Sequence, residues 1–218
     1  PQQIKEQIIE HFGQGLLHET YGSTEGGIIS NLRPDDQLKK LQCVGQAFPC
    51  TKIKTLTEAG NLCEPNEVGE LFSTSPYLFN GYWKRPDETK EALVDGWLTV
   101  GDMARQDEDG YLYIVDRKKD MVISGGVNIY PREVEDVLRN HPNIEDVAVI
   151  GVPDEKWGES LKAFIITNNP DELQLEEVLS FCEQNISKIK IPKIIEFIDT
   201  IPRNANGKVL KTALRKDS

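Results

Sequence analysis

Several short stretches of this chain combine residue types that can bind a charged ligand. In "YGSTEGG", Tyr21–Gly27, two hydroxyls and a carboxylate lie beside glycines. Ser23 and Thr24 can hydrogen-bond phosphate oxygens, and Glu25 offers the hard oxygen ligand that Mg²⁺ prefers. Gly22 would allow close approach of the backbone to a ligand. An ordinary turn uses the same residue types, so this loop alone leaves both interpretations open.

Two further stretches carry charge beside glycine. In "GWLTVGDMA", Asp102 follows a glycine and can accept hydrogen bonds from both hydroxyls of a sugar diol. In "DRKKDMVISGGVNIYP", Arg117 can donate to ribose or phosphate. There, Gly125 and Gly126 would let a narrow chain pass against the backbone. A turn aspartate and a charged linker are the alternative interpretations of these two stretches.

Near the end of the chain, "PRNANGKVLK" places Lys208 after a glycine. The stretch lacks the first glycine and the final Ser or Thr of a Walker A phosphate loop, so that motif is excluded. Neither Gly-Gly pair of the chain fits a dinucleotide fingerprint. No Ser-His-Asp or Cys-His set can be assembled. For Lys208 alone, a solvated tail is the other interpretation.

The charge of the chain is unevenly distributed. The net charge of −11 argues against general nucleic-acid binding and against an anionic membrane surface. Residues 187–218 nevertheless hold eight Lys and Arg against three Asp and Glu, which leaves −16 for the preceding residues. A basic tail on an acidic body predicts an anionic partner held near the tail.

The cysteine pattern favours a reducing compartment, and we expect a cytoplasmic protein. Cys43, Cys50, Cys63 and Cys182 form no C-x-x-C pair, and the three histidines are scattered. No apolar run approaches the roughly 18 residues of a membrane helix. The chain begins without Met or a secretory segment, directly on the helix-like run "QIKEQIIEHF". We therefore expect an N-terminal part of the same polypeptide to be missing.

The elements that must position these residues change in type along the chain. Residues 2–12 predict a helix that Gly13 ends, and "GLLHETYGSTEGG" predicts a short buried strand running into a glycine-rich loop. From about 43 to 116 the pattern is β, with an Asp-Gly hairpin signal in "DEDG" and a short helix in "RPDETKEAL".

After Arg117 strands and helices alternate, which predicts a small α/β unit. "PREVEDVLRNHP" and "LQLEEVLSFCEQNI" predict helices, and "EDVAVIGV", "LKAFIIT" and "KIIEFID" predict strands. The polar, glycine-bearing "DRKKDMVISGG" predicts a linker or hinge between two domains. We place the boundary so that residues 1–118 form the first domain and residues 119–218 the second.

The order of the motifs is more specific than any one of them. Tyr-Gly-x-Thr-Glu, Gly-Trp-x-x-x-Gly-Asp, Asp-Arg-x-x-Asp…Ser-Gly-Gly…Pro-x-Glu-x-Glu and Pro-Arg-Asn…Gly-Lys follow one another, and "GVPDEKWGE" lies among them. Over nearly its whole length the chain resembles the adenylate-forming acyl-CoA synthetase (AMP-binding enzyme) family, most closely the fatty-acid and aryl acid-CoA ligases. The resemblance implies a mixed α/β (α+β) fold: the end of a large AMP-binding domain with a β-rich subdomain, then a small mobile α/β lid.

The resemblance implies a ligase of fatty-acid metabolism that uses ATP, Mg²⁺ and coenzyme A and releases AMP. A carboxylic acid attacks the α-phosphate of ATP, and a thiol then displaces AMP from the acyl-adenylate. By matching position, Tyr21 would lie near adenine, Thr24 would touch the α-phosphate, and Glu25 would bind Mg²⁺. Asp102 and Arg117 would hold the ribose hydroxyls.

In the second domain, Lys119 matches the hinge position of the family. The loop Ser124–Gly126 would line the pantetheine path, and Lys208 would be the adenylation lysine. A cation aimed at the charge that develops on carboxylate and α-phosphate would stabilise the transition state. A domain pivoting at Lys119 would then exchange Lys208 for the glycine loop.

The sequence departs from the family in lacking the Thr/Ser/Gly-rich loop that cradles the β- and γ-phosphates. We therefore expect the enzyme to be the full-length parent and the chain alone to be inactive. Two alternatives stay open: an adenylating enzyme that loads a carrier-protein pantetheine, and a non-catalytic module that binds nucleotide or a partner. Gly26 and Gly27 also suggest room for a bulky or long acyl group.

Overall fold

A computed structural model describes residues 2–167 and 173–216. The chain divides into two compact units, the first ending at Lys118 and the second beginning at Lys119. Both helices and sheets are present, so the predicted mixed α/β class is confirmed. Among the described residues, no helix has the length and apolar character needed to cross a membrane.

The first unit opens with the predicted helix α1, Gln2–Phe12. Gly13 ends it: its N–H donates to the carbonyl of Ile9 at 2.8 Å, and its φ is +92°. Glycine adopts this left-handed conformation without the steric conflict that a Cβ atom causes.

Two antiparallel sheets build the rest of the first unit. The smaller has the strand order β1-β2-β3. The larger has the order β6-β7-β5-β8-β9, with β4 paired to β5 and the predicted helix α2 before β6. Their bounds are β1 Glu19–Ser23, β2 Gly27–Leu32, β3 Gln46–Ala47, β4 Lys52–Leu56, β5 Gly69–Thr74, α2 Pro86–Ala92, β6 Leu93–Val94, β7 Trp97–Leu98, β8 Asp102–Gln106 and β9 Leu112–Arg117.

The hairpin β8–β9 forms where the Asp-Gly signal predicts it. The N–H of Asp107 donates to the carbonyl of Tyr111 at 3.0 Å, and Gly110 has a φ of +78°. The antiparallel register pairs Asp102 with Arg117 across the two strands. The turn thus brings together the first residue of β8 and the last residue of β9, which pair at the open end of the hairpin.

The prediction for β1 was wrong in one respect. The strand forms, but its side chains alternate between half-buried and exposed, so it is not a buried strand. Its pairing with β2 is irregular between Tyr21 and Gly22. In β1 one face is half-buried and the other is exposed, which gives the two-residue alternation of a half-buried strand.

The second unit contains a five-stranded sheet with the order β11-β10-β13-β12, in which β14 also pairs with β13. The pair β13–β14 is parallel, whereas the other described pairs of this sheet are antiparallel. The bounds are β10 Val122–Ser124, β11 Val127–Ile129, α3 Pro131–Leu138, β12 Ile144–Asp154, β13 Gly158–Thr167, α4 Leu175–Asn185, β14 Ile194–Phe197 and α5 Lys211–Leu214.

Strand β12, at one end of the strand order, has apolar residues on both faces, as its continuous apolar run predicts. Val147 and Val149 pack in a core cluster with residues of α3 and α4. Ala148 and Ile150 pack in a second cluster with Phe164 and the tail residues Ile201 and Leu214. The sheet therefore has a core on each face, and the C-terminal tail closes one of them.

The stretch predicted as a linker is structured. β9 continues through Arg117, and Val122–Ser124 forms strand β10 in the sheet of the second unit. Between them Asp120 is buried and pairs with Arg215 at 2.8 Å. The polar residues that suggested a linker or hinge therefore include a carboxylate whose buried charge is compensated by an arginine, and the division between the two units falls within this stretch.

Candidate functional site

A carboxylate, a guanidinium and a phenol meet in the first unit. Arg117 Nε lies 2.8 Å from Asp102 Oδ1, and Arg117 Nη1 donates to the carbonyl of Val100 at 2.7 Å. The hydroxyl of Tyr21 donates to Asp102 Oδ2. Each carboxylate oxygen can accept a second hydrogen bond, so Asp102 can still receive a ligand diol. The structure therefore brings together three predicted site residues that are far apart in sequence.

Burial and charge determine the protonation of Tyr21. Removal from solvent, followed by the negative charge of Asp102, raises the pKa of Tyr21 above its ordinary value. The phenol stays protonated at neutral pH and acts as a hydrogen-bond donor. The carboxyl of Asp102 is nearly buried, whereas the side chain of Arg117 is 44% exposed and can face a ligand.

The turn that carries Asp102 is held by Glu70, which the sequence did not single out. Thr99 Oγ1 donates to Glu70 Oε1 at 2.7 Å and accepts from the N–H of Gly101 at 3.1 Å. Lys118 Nζ lies 2.7 Å from Glu70 Oε2, and the N–H of Lys118 donates to the carbonyl of Gly101 at 2.8 Å. Glu70 and Lys118 thereby fix the backbone on both sides of the Asp102–Arg117 pair.

Two glycines of the "YGSTEGG" loop allow close packing within the protein. A Cβ atom on Gly22 would lie 2.0 Å from the carbonyl oxygen of Gly27, so the turn closes only because that atom is absent. A Cβ atom on Gly26 would lie 2.8 Å from Leu98. Gly22 therefore has a structural reason independent of a ligand, and a side chain at Gly26 would meet Leu98. At Gly27 a Cβ atom would make only an ordinary contact with Tyr77 at 3.6 Å, and room for a bulky or long acyl group stays a prediction.

The hydroxyls of the loop differ in their partners. Ser23 Oγ accepts from the N–H of Gly26 at 3.0 Å and stabilises the turn. Thr24 is exposed, so its hydroxyl faces solvent. Of the two predicted phosphate-binding hydroxyls, Thr24 is therefore the one that the fold leaves available.

Glu25 is held by Tyr82, a residue that sequence reasoning missed. The hydroxyl of Tyr82 donates to Glu25 Oε1 at 2.6 Å, and the carbonyl of Glu25 accepts from the N–H of Phe79 at 2.8 Å. This hydrogen bond is the main cause that lowers the pKa of Glu25, and it raises the pKa of Tyr82 to about 12. The "GYW" stretch after β5 was the available signal, because such aromatic hydroxyls need a partner when half-buried.

The donor set around Glu25 fits a magnesium ion only in company with a ligand. No group of three His, Cys, Asp or Glu residues that could hold a metal occurs in the described ranges. Glu25, with its lowered pKa, supplies one hard anionic oxygen ligand. Mg²⁺ is commonly held by one or two carboxylates together with water and substrate phosphates, so a single carboxylate is compatible with that arrangement.

In the second unit, the predicted loop Ser124–Gly126 is the turn between β10 and β11. Gly125 and Gly126 have φ values of +57° and +81°. The N–H of Gly125 donates to the carbonyl of Trp157 at 2.9 Å, and a Cβ atom on Gly125 would lie 2.6 Å from the indole ring. The tryptophan of "GVPDEKWGE" therefore covers the glycine loop, and any larger residue at Gly125 would displace it.

The two predicted lysines of the second unit are both exposed. Lys119 lies in a single 3₁₀ turn, Lys118–Asp120. Lys208 lies in the loop between Arg203 and Val209, after Gly207 with a φ of +78°. In the part of the chain that the structure describes, neither lysine forms an ion pair, so both cations are free to meet an anionic ligand.

The class of protein follows from these features together with two family models. The model of the AMP-binding enzyme matches residues 1–83, and the model of the AMP-binding enzyme C-terminal domain matches residues 133–208. The chain belongs to the AMP-binding, adenylate-forming enzyme family.

Within that family the similar curated proteins are CoA ligases. The chain is 39% identical over 217 residues to the long-chain-fatty-acid–CoA ligase of Escherichia coli O157:H7, covering all of this chain and 38% of that protein. It is 40% identical over 204 residues to the 2-succinylbenzoate–CoA ligase of Geobacillus kaustophilus, covering 92% of this chain and 41% of that protein. The chain thus spans about two fifths of the length of these relatives.

The chain is also similar to solved structures. The o-succinylbenzoate CoA synthetase of Bacillus subtilis in complex with its acyl-adenylate intermediate has a TM-score of 0.90 at 34% identity, over 98% of this chain and 43% of that one. ATP-bound MatB from Rhodopseudomonas palustris has a TM-score of 0.86 at 34% identity, over 92% of this chain and 40% of that one.

Proposed function

We propose that the protein containing this chain is an acyl-CoA synthetase. It activates a carboxylic acid with ATP and passes the acyl group to coenzyme A. The observation that carries the proposal is the Asp102–Arg117–Tyr21 cluster, a carboxylate that keeps acceptor capacity for a diol and lies beside an exposed guanidinium. This cluster occurs in a chain similar over its whole length to CoA ligases.

In the first half-reaction a carboxylate oxygen forms a bond to the α-phosphorus of ATP, and the bond to pyrophosphate breaks. Asp102 accepts hydrogen bonds from the ribose hydroxyls, with Arg117 beside it, and Tyr21 lies near the adenine. Thr24 hydrogen-bonds the α-phosphate, and Glu25 holds Mg²⁺. The metal ion neutralises phosphate charge when it is bound.

Lys208 adds a positive charge where negative charge develops. A lysine is a compact point charge on a flexible stem, and the exposed position of Lys208 lets it reach a ligand. A preorganised donor of this kind stabilises a transition state more than a ground state.

In the second half-reaction the thiol sulfur of coenzyme A forms a bond to the acyl carbon, and AMP leaves. The thiol loses its proton in this step. The turn Ser124–Gly126 would line the path of the pantetheine arm. Trp157 covers Gly125, but no atom lies within 4 Å of the position of a Cβ atom on Gly126, so a narrow chain can pass close to the backbone there. We further propose that residues 119–218 act as a mobile lid that pivots at Lys119, so that one domain serves both half-reactions.

The substrate that we propose is a fatty or aryl acid. The names of the relatives support these two classes, long-chain fatty acids and 2-succinylbenzoate. Free coenzyme A is the acceptor in our proposal because the curated relatives are CoA ligases, although a carrier-protein pantetheine presents the same thiol. Four free cysteines support a reducing compartment, and the cytoplasm stays our proposed location.

The complete enzyme provides the test. ATP–pyrophosphate exchange is measured with acetate, a long-chain fatty acid and an aryl acid, followed by thioester formation with free coenzyme A. Exchange with a fatty or aryl acid and a CoA thioester product are expected. Thioester formation only on a carrier protein would change the acceptor, and AMP binding without any turnover would indicate a non-catalytic module.

The 218-residue chain by itself should not catalyse this exchange. The Thr/Ser/Gly-rich loop that cradles the β- and γ-phosphates in this family is not among its residues. Robust exchange by the purified chain, with contaminating enzyme excluded by an Asp102→Ala control, would show that the catalytic parts are misassigned.

A further inference from the structure

The loop that carries Lys208 is closed by its own backbone. Arg203 and Val209 pair as an antiparallel bridge, and the N–H of Asn204 donates to the carbonyl of Lys208 at 2.9 Å. The N–H of Gly207 donates to the carbonyl of Asn204, also at 2.9 Å. These contacts hold the backbone carbonyl of Lys208. They provide no hydrogen-bond acceptor for the backbone N–H of Lys208.

The side chain of Asn204 supplies that partner. Its Oδ1 accepts from the N–H of Lys208 at 2.9 Å and from the N–H of Asn206 at 3.0 Å. One amide oxygen thus replaces a backbone acceptor, as asparagine commonly does in turns. With Asn204 in place, the backbone of Lys208 is held at both its N–H and its carbonyl.

The closed loop is also tied to the sheet of the second unit. Arg203 Nη1 donates to the carbonyl of Gly207 at 2.6 Å, and Nη2 pairs with Asp146 on β12. On either side of the loop, Ile201 and Val209 pack in the core cluster that contains Phe164. The backbone of Lys208 therefore has a defined place on the sheet, although every residue from Arg203 to Lys208 is exposed.

We propose that Asn204 is a positioning residue for adenylation and acts through Lys208. This inference rests on the proposed function, because it assumes that Lys208 faces the developing charge. Asn204 makes no contact with substrate in this scheme. The Oδ1 atom of Asn204 holds the backbone of Lys208 in one conformation. The Cα atom from which the lysine side chain extends therefore keeps a defined position when ATP and the acid are bound.

The test compares Asn204→Ala with Asn204→Asp in the complete enzyme, by single-turnover kinetics of each half-reaction. Misplacing a catalytic group by about an ångström can reduce rates roughly a hundredfold, so we expect adenylation by Asn204→Ala to fall roughly ten- to a hundredfold. Thioester formation from supplied acyl-adenylate should stay within about twofold. Asn204→Asp keeps an oxygen at the Oδ1 position and should recover most of the adenylation rate.

A matched control and a double variant separate positioning from general damage. Asn206→Ala alters a neighbouring exposed residue whose backbone N–H, not its side chain, meets Asn204, and it should adenylate at the wild-type rate. Because Asn204 acts only through Lys208, the pair Lys208→Ala/Asn204→Ala should adenylate no more slowly than Lys208→Ala alone. Thermal unfolding of each variant shows that the fold is kept.

The outcomes distinguish failure of this inference from failure of the proposed function. If Lys208→Ala leaves adenylation unchanged, the proposed role of the lysine is wrong. If Lys208→Ala slows adenylation but Asn204→Ala does not, the positioning role is overturned. A double variant clearly slower than Lys208→Ala, or equal damage by Asn204→Ala and Asn204→Asp, would overturn it as well.

Discussion

Tyr82 and Glu25, 57 positions apart in the chain, share a 2.6 Å hydrogen bond from the phenol to the carboxylate. Tyr82 is itself held, since its N–H donates to Thr89 Oγ1 at 2.9 Å and its ring packs edge-on against Phe79. The loop after β5 thereby orients the carboxylate that we propose as the magnesium ligand.

Tyr82→Phe should weaken the use of magnesium by the complete enzyme. Without the phenol the pKa of Glu25 rises and its carboxylate is free to rotate, so the Mg²⁺ concentration for half-maximal adenylation should increase roughly three- to tenfold, the effect of about 1 kcal/mol. Tyr113→Phe is the matched control, because it removes a 3.2 Å hydrogen bond to Asp107 in the same unit. Equal magnesium dependence of both variants would contradict the role of Tyr82.

Lys208→Ala should separate the two half-reactions. Loss of one preorganised charge-stabilising donor commonly reduces a rate by about 10²–10³, and the loss should fall on adenylation. Thioester formation from supplied acyl-adenylate should change little if the lid has then turned the lysine away. Single-turnover kinetics of the complete enzyme measure the rates of both steps. An equal decrease in both rates would contradict the proposed role of Lys208 and favour the interpretation of a solvated tail.

Lys119→Pro should have the reverse effect. Proline locks the φ angle of residue 119 and so restricts backbone rotation within the turn Lys118–Asp120. If the lid pivots there, adenylation persists while thioester formation drops. Lys119→Ala retains a flexible backbone and should leave both half-reactions near wild type, so a proline variant that is equally active in thioester formation argues against the pivot.

The acid titration of Asp154 should depend on Lys193. The ammonium of Lys193, 2.5 Å away, is the largest cause that lowers the pKa of Asp154 from 3.8 to about 2, and the backbone N–H groups of Trp157 and Lys156 contribute to the same shift. Because the folded pKa lies below the unfolded one, the stabilisation is complete above about pH 4 and is lost as the pH falls through 2. In Lys193→Met the pKa should rise toward 3.8, as NMR titration of the carboxyl carbons of the 218-residue chain would show.

Lys190→Met is the matched control for that titration. Lys190 pairs with Glu133 at 2.7 Å in the same unit but does not contact Asp154. The pKa of Asp154 should therefore keep its lowered value in this variant. A similar rise in both variants would mean that net charge, and not the specific ion pair, determines the titration.

Gly22→Ala should destabilise the chain without any ligand present. The new methyl group would collide with the carbonyl oxygen of Gly27, and overpacking of this kind costs about 1–3 kcal/mol. Thr24→Ala changes an exposed neighbour and should stay within about 0.5 kcal/mol of wild type. Denaturant unfolding of the 218-residue chain measures the free energy of unfolding of both variants. If Gly22→Ala leaves that free energy unchanged, the structural reason for this glycine is wrong and a role in ligand binding is favoured.

The sequence alone predicted the features that depend on near neighbours. Helix α1 and its glycine stop, the Asp-Gly hairpin β8–β9 and the proline start of α3 each follow from signals within a few residues. Local backbone preferences act over that range, and apolar spacing then marks the face that becomes buried. The ordered motifs also indicated the family, because several short motifs in one fixed order are far more specific than any of them alone.

Only the tertiary structure decided how those residues are held. The partners Tyr82 for Glu25 and Glu70 for the Gly101–Asp102 turn come from distant strands and loops, and no local pattern encodes such contacts. The same applies to Gly26, whose neighbour Leu98 comes from a strand 72 positions further along the chain. Chain topology brings these atoms together, so residue types can be predicted from sequence while their partners follow from packing and strand register.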